Sequence, residues 1–171
     1  MKKIWLIICC LLMVQTLLGC NKQKEELQQP TNFYYITKEI SYNTPDGVIC
    51  AEEREAVNFS GDLTALMEEY LKGPNTPDMQ TVIPLSAKLV SCTISDNTVN
   101  LTMSNPFAKL SGVKLSTACS AILMTIYDYS GVEELRICVE DGLLDEKKEI
   151  VLSIDDILLM DNILFEGGFG E

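Results

Sequence analysis

Two short runs of alternating residues stand either side of a three-residue turn: Val90, Cys92 and Ile94 share one side of the first, Val99, Leu101 and Met103 one side of the second, and Ser95-Asp96-Asn97 joins them. A period of two places each trio on one face of a pleated ribbon, and Asp and Asn tolerate the positive φ angles of a tight hairpin turn. The chain is thereby committed to an antiparallel pair with one apolar face. Whatever covers that face has to come from segments of helical period.

Two such segments flank the hairpin. Leu63, Leu66, Met67, Tyr70 and Leu71 repeat at i, i+3, i+4, i+7 and i+8, while Glu68 and Glu69 point outward. Ser60 or Asp62 caps the start, Lys72 complements the carbonyl end, and Gly73-Pro74 stops the helix. From Gly112 to Tyr129, Leu115, Cys119, Ile122 and Ile126 keep helical spacing, Ala118, Leu123 and Tyr127 widen the apolar face, and Gly131 ends the helix.

Extended segments complete the pattern. Asn32 to Thr37 is rich in aromatic and branched residues, Asn43-Thr44-Pro45-Asp46-Gly47 is a turn signal, and Val48 to Val57 reads as the returning strand. In Glu134 to Glu140, Leu135, Ile137 and Val139 alternate with Arg136 and Cys138; Ile150 to Leu152 is a short strand, and Ile154 to Phe165 is a patchy apolar run. No internal repeat occurs. The order strand, strand, helix, strand, strand, helix, strand predicts an α+β fold: a single domain with a mostly antiparallel sheet, two helices packed on one face, and the other face wet.

The N-terminus carries a different signal. Lys2 and Lys3 precede an apolar stretch from Ile4 to Leu18, too short for a membrane span and followed by the polar run NKQKEELQQP. Leu17-Leu18-Gly19-Cys20 resembles the lipobox of bacterial lipoproteins, in which the cysteine thiol receives a diacylglycerol. Residues 1–19 are therefore expected to be a signal peptide, 20–31 a tether acylated at Cys20, 32–153 the folded domain and 154–171 a C-terminal tail. The tether reaches at most roughly 36 Å when extended. Each buried CH2 of an acyl chain contributes about 0.8 kcal/mol, so two or three chains hold a protein firmly on a bilayer. The expected location is the outer face of the cytoplasmic membrane.

Charge and composition narrow the function. The 171 residues carry 13 Lys or Arg against 25 Asp or Glu, a net charge of -12, and no histidine. Cleavage after Gly19 would leave 11 basic residues against 25 acidic, a net charge of -14. Nucleic acid is excluded as a partner by repulsion from its phosphates, and lipid has to supply the hold on a surface that charge would avoid. Without histidine there is no Ser-His-Asp or Cys-His catalysis and no imidazole metal ligand. Cys50, Cys92, Cys119 and Cys138 allow three pairings, match no compact disulfide framework and no zinc motif, and read as small hydrophobes with free thiols.

Carboxylates are the only catalytic material. Glu52-Glu53-Glu55 and Glu68-Glu69 read as solvated faces, and Asp155-Asp156 with Asp161 lacks the spacing of a calcium loop. Asn58-Phe59-Ser60 and Asn100-Leu101-Thr102 match glycosylation sequons but carry nothing on a bacterial lipoprotein. No catalytic, cofactor or metal residue is assigned. The alternatives to a scaffold are a lipoprotein that binds a small ligand in an apolar cavity and one that acts on a wall polymer with two converging carboxylates.

From Asp62 to Gly142 the sequence resembles the GerMN domain of sporulation and spore germination proteins. The resemblance rests on order: Tyr70-Leu71-Lys72-Gly73-Pro74 ending a helix, Val82-Ile83-Pro84 before the hairpin, Val99-Asn100-Leu101 in its second strand, Phe107 before the second helix, and Val132 to Val139 running to Asp141-Gly142. Tyr35 sits in the aromatic strand that opens the family pattern. The resemblance implies a fold like the ring-building motif, no catalytic residue, and a scaffold or interaction part in an envelope assembly, with envelope proteins, a second copy of the chain included, as partners. Two features depart from the pattern: the founding member looks like a tandem where this chain has room for one domain, and Glu140 stands between Val139 and Asp141.

Overall fold

A computed structural model describes residues 30–38, 48–55, 59 and 61–157. The acylation candidate Cys20, the signal segment 1–19, most of the tether and the turn 43–47 lie outside the described residues. β1 (Thr31–Thr37) and β2 (Ile49–Arg54) form the expected antiparallel pair, with Phe33 opposite Glu52 and Tyr35 opposite Cys50. A two-residue strand, β3 (Met79–Gln80), joins the other edge of β1 at Ile36 and Thr37 only. It comes from the turn-rich segment between Asn75 and Pro84, where no alternation announces a strand.

The second sheet runs β4 (Leu89–Ser95), β5 (Thr98–Met103), β6 (Glu134–Val139), β7 (Ile150–Ser153) in spatial order. Asp96 and Asn97 take φ of 49° and 63° at the β4–β5 turn, as the sequence predicts. The α+β architecture is as expected, with the sheet divided in two. Four of the five strand pairings are antiparallel, and β5 pairs with β6 in parallel. A parallel pair needs a crossover, supplied here by the long second helix.

Helix α1 (Leu63–Tyr70) starts at Asp62, whose Oδ1 accepts from the amides of Thr64 at 2.8 Å and Ala65 at 3.3 Å; Asp62 is thus its N-cap. Gly73 closes the other end at φ +89°, donating its amide to the Tyr70 carbonyl at 3.0 Å. Leu63, Leu66, Met67 and Tyr70 are buried against β4 and β1, and the Tyr70 ring stacks on Tyr35 with centroids 4.9 Å apart. Helix α2 (Gly112–Ser130) packs on β1 on one side and on β6 and β7 on the other. Two contacts need a broad buried surface, and Ala121 and Thr125 join the predicted Leu115, Ala118, Cys119, Ile122, Leu123 and Ile126. Tyr127, expected to widen that face, is turned outward and is 42% exposed.

Val99, Leu101 and Met103 are buried beneath the helices beside Leu135, Ile137 and Val139. The β4 trio behaves differently: Cys92 is half-buried, but Val90 and Ile94 are 46% and 55% exposed. β4 is an edge strand with a neighbour on one side only, and Val90 is the extra residue of a bulge between Leu89 and Ser91. At the other end of the chain, Ser153 and Asp156 cap each other's backbone around a last helical turn, 154–157. Ile154 and Ile157 enter the core, so the first turn of the expected tail packs with the domain. Residues 158–171 lie outside the described residues.

Candidate functional site

Alternation along β2 sends Ala51, Glu53 and Glu55 to solvent and Glu52 and Arg54 inward. The inward pair meets the end of α1. Arg54 donates from Nε to Glu52 Oε1 at 2.6 Å, from Nη1 to Glu69 Oε1 at 3.2 Å, and from Nη2 to the Gly73 carbonyl at 2.8 Å and Tyr35 Oη at 3.3 Å. Its guanidinium carbon lies 4.4 Å from the Phe33 ring centroid, close enough for a cation–π contact. Glu52 Oε2 accepts from the Thr76 amide at 2.7 Å, and Lys72 Nζ donates to Glu69 Oε2 at 2.6 Å. Tyr35 donates its own hydroxyl to the Tyr70 carbonyl at 2.8 Å.

These groups floor a depression of about 360 Å³ lined by Glu52, Glu53, Arg54, Glu55, Glu69, Asn75 and Thr76. The reading of Glu52 as part of a solvated face is corrected here: its side chain is 4% exposed and that of Arg54 7%. Glu69, expected on the wet side, is drawn in by Arg54 and Lys72, whereas Glu68 does face solvent. The missed signal was positional. An arginine two residues after a glutamate on one strand shares its face, and a helix stopping at Gly73 leaves a carbonyl for it to cap.

Two carboxylates with one arginine between them suggest acid–base chemistry only if one carboxyl keeps its proton. Burial raises the Glu52 pKa, but the Thr76 and Asn75 amides and the Arg54 guanidinium outweigh it and hold it below its ordinary value. An ionised carboxylate already tied to a guanidinium and an amide has little to give a substrate. The cluster is suited instead to locking β2, the end of α1 and the loop after it into one unit.

Other candidates are accounted for. Asp155 and Asp156 serve the helical turn after Ser153, and Asp161 lies outside the described residues. Among the described residues no group of three or more His, Cys, Asp or Glu is placed to hold a metal ion. Cys50, Cys92, Cys119 and Cys138 are in no disulfide. The Cys119 thiol is pushed up to about 12 by burial, and that of Cys92 to about 11 by burial with Asp62 adding to it.

The open face of the four-stranded sheet is the other extended surface. Its register sets Ser91 beside Thr102 and Cys138, Thr93 beside Asn100, Arg136 and Val151, and Ser95 beside Thr98, Glu134 and Ser153. Thr98 donates to Glu134 at 2.9 Å, and Arg136 and Glu149 approach to 3.9 Å. The face is flat, rich in hydroxyls and nearly neutral, on a chain whose net charge is -12. Among the described residues no helix is long and apolar enough to cross a membrane.

Residues 32–145 match the model of the Germane family, described as sporulation and spore germination. The fold is similar to the first GerMN domain of the sporulation protein GerM from Bacillus subtilis, with a TM-score of 0.53 at 16% identity over 70% of this chain and 90% of that one. It is also similar to the tandem GerMN domains of the same protein, with a TM-score of 0.52 at 24% identity over 79% of this chain. The match spans about half, 47%, of the tandem structure. No curated protein matches the chain.

Proposed function

We propose that this chain, which belongs to the Germane family of sporulation and spore germination, works as a non-catalytic docking module on the outer face of the cytoplasmic membrane, anchored by lipid on Cys20. The observation that carries the docking reading is the open sheet face: a flat, nearly neutral surface of hydroxyl and amide side chains on a strongly acidic protein. A partner approaching there meets hydrogen-bonding groups without the repulsion that the rest of the surface imposes. The Arg54 cluster supports the same reading, because its carboxylates are engaged in holding the fold. The partners are proteins of an envelope assembly active in sporulation.

The anchor is supported by Leu17-Leu18-Gly19-Cys20 following a basic and apolar segment. Metabolic labelling with a fatty acid tests it: the wild-type chain incorporates label and Cys20→Ala does not. Equal labelling of both would overturn the anchor. Docking is tested by in-cell photocross-linking from position 100 or 136 on the open face, which should trap a defined envelope protein during sporulation. Turnover of peptidoglycan fragments by the purified chain, abolished by a single carboxylate substitution, would overturn the non-catalytic reading.

A further inference from the structure

The two sheets have four edges, and three of them are guarded. β2 carries Glu52, Glu53 and Arg54, β3 has two residues, and β7 has four. β4 is different. Its seven residues, Leu-Val-Ser-Cys-Thr-Ile-Ser, include no charge and no proline in a chain that is 22% charged. Such an edge is a template for another strand, and proteins that avoid pairing place a charge or a proline there. The bulge at Val90 disrupts only the first part, leaving Ser91 to Ser95 regular.

That stretch is symmetric in character about Thr93. In an antiparallel pairing of two copies centred on Thr93, Thr93 lies opposite Thr93 of the second copy, Ser91 opposite Ser95, and Cys92 opposite Ile94. All three hydroxyl residues belong to the open face, and Cys92 and Ile94 to the helix face, so like meets like across the seam. Ile94, 55% exposed in the single chain, gains an apolar neighbour. No charge of either copy enters the paired stretch. For a chain of net charge -12, this is a place where two copies meet without setting like charges opposite each other.

We propose that the β4 edge pairs with β4 of a second copy, joining two four-stranded sheets across a two-fold axis at Thr93. The interface is isologous and closes at two copies, because each chain uses its one long unguarded edge. The surface is distinct from the open face assigned to envelope partners. Both faces of the joined sheet keep their roles.

The test uses the full-length chain in mild detergent. Cα atoms opposite each other in an antiparallel pair lie about 4.5 to 5.5 Å apart, within the range a disulfide spans. Thr93→Cys should form a disulfide-linked dimer on mild oxidation, while the wild-type chain and Ser91→Cys, whose opposite number is Ser95, form it at least ten-fold more slowly. Light scattering should give the wild-type chain twice the monomer protein mass, and Thr93→Lys the monomer mass with an unchanged melting temperature. Added salt should favour the dimer by screening the net charge. A monomeric wild-type chain, no cross-link from Thr93→Cys, or an intact dimer in Thr93→Lys would each overturn the proposal. Cross-linking at positions 100 and 136 to an envelope protein is read separately, so either reading can fail alone.

Discussion

The hydroxyl of Thr125, in the middle of α2, accepts the backbone amide of Tyr34 at 3.0 Å and donates to the Ala121 carbonyl at 2.9 Å. β3 covers only the end of β1, at Ile36 and Thr37, so the amide of Tyr34 has no strand to pair with on that side. A helix side chain takes the place of the missing strand. Asp128, a turn later, accepts from Asn32 Nδ2 at 3.3 Å along the same edge.

Thr125→Val keeps the shape of the side chain and orphans the Tyr34 amide. The expected loss is about 1 to 3 kcal/mol, the cost of leaving a buried donor unsatisfied. Denaturant unfolding measures it, and amide exchange at Tyr34 should accelerate. Thr125→Ser, which retains the hydroxyl, should keep that amide slow.

Removing Arg54 strands a buried carboxylate. Arg54→Met should cost about 3 to 5 kcal/mol, since Glu52 would face the interior without its partner. The double variant Glu52→Met/Arg54→Met should recover much of that loss. Additive losses in the double-mutant cycle would refute the coupling.

The same carboxylate makes stability depend on pH. With the folded pKa of Glu52 below the ordinary 4.5, the unfolded chain binds a proton that the folded chain refuses. The stability Glu52 contributes is fully present above that ordinary value and is lost as pH falls through the folded pKa. Acid titration of the unfolding midpoint should show a shallower decline in Glu52→Gln than in the wild type.

Cys119, fully buried and with its thiol pushed up to about 12, should escape maleimide in the native chain and react only on unfolding. Peptide mapping after brief labelling reads this directly. Labelling of Cys119 at the rate of an exposed thiol would contradict its burial.

Ile154 and Ile157 belong to the core, although they begin the patchy apolar run. Ile157→Ala should cost about 2 to 5 kcal/mol, as truncation of a buried aliphatic side chain does. A change below about 0.5 kcal/mol, the usual range of surface substitutions, would place that turn on the surface.

Periodicity determined what it physically encodes: which face of a segment is apolar and where a segment must stop. Leu63 to Tyr70, Val99 to Met103 and Leu135 to Val139 were legible because each buries one face against a neighbour, and Asp62, Gly73, Asp96, Asn97 and Gly131 were legible because local backbone geometry selects those residue types. The GerMN resemblance was legible in the order of these same elements. Partnership is not a property of one segment, and there the sequence was silent. Val90 and Ile94 have the pattern of a covered face, but only the tertiary structure sets β4 at an edge where α1 covers its middle. Thr125 looked like an ordinary helix residue until α2 was seen crossing β1. Glu52 and Arg54 read as surface charges until the end of α1 and the Thr76 amide arrived to pair with them, because burial of a charge depends on partners that are distant in sequence and brought close only by the fold.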